Sequence, residues 1–440
     1  MNRTDGYTTD VSYPAFFYKE MQPVWLCCVA HFLGFAAPDL TRPFTFCELG
    51  CGTGTNLLVA AASHPQARFV GVDFNENHLQ TARAAALSSG LENVEFIGCS
   101  FQEFATGHHT PFDFITTHGV WSWIAPEHQS SLLDCVQVHL KPGGLFYLHY
   151  MCHPGSTELA TLQHFLNLFA HHIPGTSAQR AQTGLKLLRQ LSDRGLFTDQ
   201  PAVLKHLRNL ERLNPNHVAH EFLTDHWQPQ HSVAVHQRIG QAGLGYLGSA
   251  DVFHNLDTSL SVPGPMQAVI RQTQAPALAE TLKDMARHSH QRMDLFQREP
   301  QPLGQQKHLA QLGEMLFQPL PDTPMQGPIS FATPIGNIEG PENIFSPLLQ
   351  SLATGPASFA RLAQLPAFAG QPGALLQALQ LLMRQEIVHP LKPAPATTTA
   401  HAERLTQWFR RNGISLQTIE PCGTAILPHP TPSPTPTDAA

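Results

Sequence analysis

Residues 44–56 read FTFCELGCGTGTN, and this stretch decides the fold. The apolar run over 44–49 predicts a buried strand, and a helical pattern follows over 55–63. Between them Gly50, Gly52 and Gly54 alternate around Cys51. Alternating glycines let the chain turn tightly and bring backbone N–H groups up to a ligand with no Cβ in the way. The helix beginning near Thr55 adds unpaired amides, which suit an anion such as a carboxylate. The spacing differs from the dinucleotide fingerprint GxGxxG, because the third glycine comes one residue early. Glu48, at the end of the strand, puts a carboxyl beside the turn.

Outward from this turn, apolar stretches at 68–72, 94–97, 112–117 and 145–150 predict further buried strands. Helical patterns at 77–88 and 127–140 separate them, and Pro142, Gly143 and Gly144 punctuate the approach to the last strand. Strand and helix alternate, which predicts an open α/β sheet with its ligand chemistry at the carboxyl ends of the strands. Several candidates fall there. In ARFVGVDFNENHL, Asp73 stands 23 residues after Gly50 and can accept both hydroxyl hydrogen bonds of a ribose, with Phe74 beside it. In VEFIGCSF, Ser100 can donate or accept a hydrogen bond and Phe101 can pack on a ring. FDFITTHGVWSWI brings His118, Trp121 and Trp123 to the same face.

The remaining chain changes texture. Residues 156–222 are helical, with Leu and Phe at spacings of three and four, and read as an insertion before the last helix of the sheet domain. Strands at 244–248 and 293–298 are expected to complete the sheet as an antiparallel edge, with a helix over 276–290. Residues 319–342 are rich in Pro and Gly and predict a linker. Short helices at 345–353, 356–363 and 373–384, the run EIVHPL and a helix at 400–411 predict a small helical, winged-helix-like domain. PHPTPSPTPTDAA at the end predicts disorder. The resulting division is 1–43, an amino-terminal lid or helical segment; 44–155, the ligand-binding core; and 156–318, a middle region whose 230–300 completes the sheet. Then come the linker at 319–342, the carboxyl-terminal domain at 343–427 and the tail at 428–440.

Composition excludes some partners. Charged residues are 13% of 440, where about 25% is typical, and 26 histidines equal Lys and Arg combined. A net charge of −7 disfavours a nucleic-acid-wrapping surface. The histidines are scattered and form no HExxH, so no metal site is indicated. They are expected on the surface and at helix ends, with net charge rising sharply below about pH 6.5. Eight cysteines show neither CxxC nor regular spacing, and the run over 24–35 is too short to span a bilayer. A reducing, cytoplasmic location with no membrane span is expected.

Taken together, CELGCGTGTN, FVGVDFN, NVEFIG, FDFITTHGVWSWI and LKPGGLFYLHYMCHPG resemble bacterial class I S-adenosylmethionine-dependent methyltransferases. HEFLTDHWQPQHSVAVHQRIGQAGLGYLGSA and RMDLFQREPQPL resemble the methyltransferase-regulatory domain appended to some of them, including rickettsial-type protein lysine methyltransferases. The resemblance implies a Rossmann-like sheet, S-adenosylmethionine as cofactor and a protein or small-molecule methyl acceptor, with a homodimer as one assembly. Glu48, Gly50, Cys51, Gly52 and Gly54 match the cofactor loop, Asp73 the ribose carboxylate, and His118 to Trp123 the signature after strand four. SYPAFFYKEMQP at 12–23 matches a lid over the cofactor, making Tyr13, Phe17 and Tyr18 candidates. Two departures stand out: Ser100 replaces the usual acidic residue near adenine, and Tyr150-Met151 replaces a Tyr-Asn pair. No NPPY-like run follows strand four, which argues against nucleobase amino-methylation. For a lysine acceptor, Tyr18, Trp121, Trp123 and Tyr150 are expected to build an aromatic channel that favours the uncharged amine. For an oxygen acceptor, His118 or His149 is the candidate base, although His149, inside FYLHY, reads first as a satisfied histidine near the sheet. A small-molecule O- or N-methyltransferase and a non-catalytic S-adenosylmethionine-binding regulator are the other readings.

Overall fold

The computed structural model describes residues 6–11, 15–393 and 400–427. Tyr13 and the expected tail at 428–440 lie outside them. In chain order the first part comprises α1 (Pro23–Phe32), β1 (Thr45–Leu49), α2 (Thr55–Ser63), β2 (Arg68–Asp73) and α3 (Glu76–Ser89). It continues with β3 (Val94–Gly98), α4 (Phe101–Thr106), β4 (Phe112–Thr117), α5 (Pro126–His139) and β5 (Leu140–Met151). These strands match the expected ones within a residue or two, except that β5 starts five residues earlier, at Leu140. The reason is pairing: Phe112 in β4 already takes Leu140 as its partner, before an irregularity that precedes Phe114 opposite Leu145.

Helices α6 (Thr157–Ala170), α7 (Ser177–Ser192), α8 (Pro201–Leu210) and α9 (Pro215–Phe222) form the insertion. They bury their own core of Leu162, Leu166, Leu188, Leu207 and Val218. The sheet resumes with α10 (Ser232–Gln241) and β6 (Leu244–Ser249). Then come α11 (Thr258–Ser261), α12 (Gly264–Gln272), α13 (Pro276–Arg287) and β7 (Gln291–Arg298). Seven strands lie in the order β3-β2-β1-β4-β5-β7-β6. Only β7 is reversed: it pairs antiparallel with both β5 and β6, so β6 runs with the parallel strands. The expected antiparallel edge is therefore one reversed strand inserted between two others.

Beyond the sheet lie α14 (Gln305–Glu314), β8 (Leu316–Pro319), β9 (Ile329–Thr333), β10 (Gly336–Gly340) and α15 (Glu342–Ala353). They are followed by β11 (Ala357–Ser358), α16 (Phe359–Leu362), α17 (Pro372–Arg384), β12 (Val388–Pro390), α18 (His401–Arg411), β13 (Gln417–Ile419) and β14 (Thr424–Ile426). The span expected as a linker contains a hairpin, β9 on β10. Phe331 from that hairpin is buried, 4.9 Å from the ring of Phe345. One aromatic anchor thus overrides the Pro/Gly signal. β8 joins β11 and β12 in a three-stranded sheet, so this region starts before residue 319. It folds back on the first domain, where Lys392 Nζ donates to Ser63 O at 2.7 Å and His401 Nδ1 lies 3.1 Å from Ser89 O.

The histidines correct the composition reading. His64, His149, His220, His254 and His389 are buried, not surface groups. Burial above all depresses them, His64 to about 3 and the other four to about 4. A large share of the histidine excess is therefore neutral and internal, and does not charge near pH 6.5.

Candidate active site

The glycine turn closes over β2. Gly50 N–H and Cys51 N–H both donate to Val72 O, at 2.8 and 3.0 Å, which swings the chain away from β1. Gly50, Gly52 and Gly54 take φ values of 76°, 51° and 72°, a region side chains rarely adopt. A Cβ at Gly50 would overlap a Val120 methyl, and one at Gly54 would lie 2.7 Å from the Phe96 ring. The middle glycine serves a different purpose. Its N–H donates to Asp73 Oδ2 at 2.8 Å, while Asn75 N–H donates to Oδ1 at 2.8 Å. Two backbone amides thus aim the Asp73 carboxylate from the end of β2. Burial pushes this carboxyl above its ordinary value, against the pull of those amides and of His78.

A cavity of about 430 Å³ opens here. Glu48, Asp73 and Glu103 line it, and among the described residues no Lys or Arg does. Glu48 is pushed to about 8, by burial first and by Asp73 second. A carboxyl set that meets no Lys or Arg among the described residues fits a positively charged ligand, which would favour the ionised form of Glu48. The glycine cradle and Asp73 add room for a backbone-bound carboxylate and for a ribose. These features suit S-adenosylmethionine, whose sulfonium and ammonium carry positive charge.

The opposite wall is aromatic. Tyr18, His118, His149 and Trp123 form a run of rings, with neighbouring centroids 3.6, 4.0 and 5.9 Å apart. His118 Nδ1 lies 2.8 Å from Tyr147 Oη. Burial, with His149 second, drives His118 far below the ordinary histidine range, so its ring is neutral at physiological pH. Tyr18 arrives on the amino-terminal strap, which Asn56 on α2 fixes by accepting Tyr18 N–H at 2.8 Å. The same strap ties the insertion to the site. Asp225 N–H donates to Gly6 O at 3.0 Å, and His220 Nε2 lies 2.8 Å from Val11 O.

Of the residues singled out from sequence, Glu48, Gly50, Cys51, Gly52, Asp73, Phe74, Ser100, Phe101, His118 and Tyr18 line the cavity. Gly54 stands just behind, at the start of α2. Two expected channel residues do not reach it. Trp121 is fully buried, with its Nε1 donating to Gln230 Oε1 at 2.8 Å and the Arg238 guanidinium over its ring. Trp123, two residues on in the same 3-10 turn, takes the cavity position and donates to Glu221 O at 3.2 Å. Tyr150 is also fully buried, and its Oη donates to Asp294 Oδ2 at 2.7 Å. Strand alternation is the cause: Tyr147 and His149 share the face toward His118, and Tyr150 takes the other. The lid candidate Phe17 packs against the main core, whereas Tyr7 and Phe16 line the cavity.

Glu103 escaped the sequence reading. Ser100 caps α4 in a capping box, with its N–H and Oγ both donating to Glu103 Oε2 at 2.8 Å. These bonds hold Glu103 below the usual carboxylate range. It places an acidic group at the cavity three residues after Ser100, and the pattern S-x-x-E was there to find.

Comparison with known proteins bears on the fold and the domains. Residues 41–229 match a family model for a methyltransferase domain, and 214–298 match a predicted methyltransferase regulatory domain. An uncharacterized protein of Synechocystis sp. is 28% identical over 394 residues, covering 89% of this chain and 77% of that protein. The structure of PKMT2 from Rickettsia typhi superposes with a TM-score of 0.70 at 21% identity, covering 94% of this chain and 86% of that one. PKMT2 in complex with AdoHcy gives 0.68 at 20% identity, covering 86% and 77%. At such identity the likeness speaks for the fold, which extends through the helical insertion and the carboxyl-terminal region. The chain carries a methyltransferase domain over residues 41–229, with S-adenosylmethionine as its cofactor, and a methyltransferase regulatory domain over 214–298.

Proposed function

We propose that this methyltransferase acts on a protein side-chain nitrogen, with lysine as the acceptor. The observation that carries the reading is the aromatic wall of Tyr18, Trp123 and Phe16 beside a neutral His118. A lysine amine is a poor nucleophile while protonated. An apolar wall that excludes water disfavours its charged form, and a neutral imidazole adds no competing charge. S-adenosylmethionine, when bound, supplies an electrophilic methyl group on a sulfonium. The chain's own task is to hold and orient: the Gly52 turn and the start of α2 for the carboxylate end, Asp73 for the ribose hydroxyls, and Glu103 for the adenine amino group.

The Glu103 role has its own check. Glu103→Gln keeps a residue that completes a capping box, so α4 should persist. It loses the anionic acceptor, and affinity for S-adenosylhomocysteine should fall about fivefold. Unchanged affinity by calorimetry removes Glu103 from the adenine site.

The acceptor class is tested by incubating the full chain with dialysed lysate and methyl-labelled S-adenosylmethionine. The expected result is label in the protein fraction that survives mild base. Base-labile label would mean carboxyl methylation, and label confined to small molecules would mean a metabolite acceptor. Cofactor binding with no label anywhere would favour a non-catalytic regulator.

A further inference from the structure

Gln291 is the first residue of β7, inside the regulatory stretch, and its side chain reaches His149, which stacks behind the cavity residue His118. The register explains how. Met151 pairs with Gln291 and His149 with Met293, so Gln291 is the diagonal neighbour of His149 on one face of the sheet. Gly119 N–H donates to His149 Nδ1 at 3.2 Å. With Nδ1 accepting, a neutral ring carries its proton on Nε2. Nε2 lies 3.2 Å from Gln291 Oε1, to which it donates. The ring fixed in this way lies 4.0 Å from His118 with planes 11° apart. His118 and Gly119 both line the cavity, and the bond from Gly119 N–H ties this left-handed turn after β4, φ +67°, to the His149 ring.

We propose that Gln291 is a positioning residue for methyl transfer: it accepts a hydrogen bond from His149 Nε2–H, fixes the tautomer that holds the Gly119 turn, and so ties the regulatory domain to the cofactor cavity. The inference rests on that cavity being the cofactor site. Several titratable groups surround His149. His118 stacks on it from the turn after β4, Tyr147 precedes it on β5, His290 stands just before β7, and Tyr18 lies beyond His118 on the strap. Burial, opposed by the Gln291 bond and assisted by His290, holds His149 at about 4, so the native pair is uncharged at neutral pH.

Gln291→Glu tests this with little change in size. A carboxylate on Nε2 favours the imidazolium, and an opposite charge at this range raises a histidine pKa by about one to three units. The ring would then charge within the range of about pH 5 to 7, next to His118. Two readouts follow. In histidine-labelled protein, followed by nitrogen NMR, the His149 titration should move up by at least one unit in Q291E. In calorimetry with S-adenosylhomocysteine as probe, Q291E should bind within about twofold of wild type at pH 8.5. At pH 6 it should bind about tenfold more weakly than wild type. The pH-dependent loss should vanish in the double variant H149Q/Q291E. A His149 titration unmoved in Q291E, or an affinity ratio to wild type that is flat with pH, overturns the positioning role. Failure of wild type to bind the probe at all would instead remove the cofactor site.

Discussion

Asp73→Ala is expected to raise the dissociation constant for S-adenosylhomocysteine about 100-fold while leaving the protein folded. The carboxylate is aimed into the cavity by Gly52 N–H and Asn75 N–H, one on each oxygen. Each oxygen keeps a lone pair for a ribose hydroxyl. Hydrogen bonds to a charged acceptor contribute about 1.5 kcal/mol or more each, and two together give about 3 kcal/mol, or roughly two decades. Asp73→Asn should lose nearly as much. Its single carbonyl can accept from only one of the two amides, and its NH2 group confronts the other, so the Gly52 turn loosens. Calorimetric titration of both variants checks this, and affinity within threefold of wild type would remove the ribose assignment.

Arg292→Met should cost about 3–5 kcal/mol of folding stability, the range for stripping one partner from a buried ion pair. Arg292 is fully buried on β7 and donates to Asp294 Oδ1 at 2.9 Å, Asp284 Oδ1 at 2.8 Å and Glu280 Oε2 at 3.0 Å. Without it, those carboxylates lose the guanidinium bonded to them, since the nearby Arg287 donates to Ser261 and His254 O. Burial alone would raise Asp294 and Glu280, yet Arg292 outweighs it together with His236 and Tyr150 at Asp294 and with Lys283 at Glu280, and both are held at about 2. Because their folded values lie below the unfolded ones of about 4, their contribution is complete above pH 4 and lost as pH falls toward 2. In Arg292→Met the folded values rise toward or above the unfolded ones, so this acid-dependent loss should shrink. Chemical denaturation from pH 7 down to 3 measures both effects. Equal midpoints for the two proteins across that range would show that the network adds nothing.

The local parts of the site were legible, because the features that create them are local. Gly50, Gly52, Gly54 and Asp73 sit where a strand, a turn and a helix follow one another within a few residues. Tyr150 was legible in principle. Period-two alternation assigns Tyr147 and His149 to one face and Tyr150 to the other, and the error came from weighing the strand end above its phase. Trp121 and Trp123 were not separable, since a 3-10 turn has no side-chain phase that sequence alone declares. Tyr7 and Asn56 matter through the strap, whose path depends on α9 and on contacts more than 30 residues apart. The scarcity of charge now has a partial account. Some of the few charged groups, Arg292, Asp284 and Asp294 among them, are spent inside the edge of the sheet, where their pairing orders α13, β6 and β7.

Protein-directed methylation is tested most directly by the chemical form of the transferred methyl group. Protein labelled by the full chain and methyl-labelled S-adenosylmethionine can be hydrolysed in acid and its amino acids separated. The structure-based reading predicts label that co-migrates with methylated lysine and is reduced at least tenfold when Asp73→Ala replaces wild type at a cofactor concentration near the wild-type dissociation constant. Label absent from the amino acids and present only in a dialysable product would contradict it.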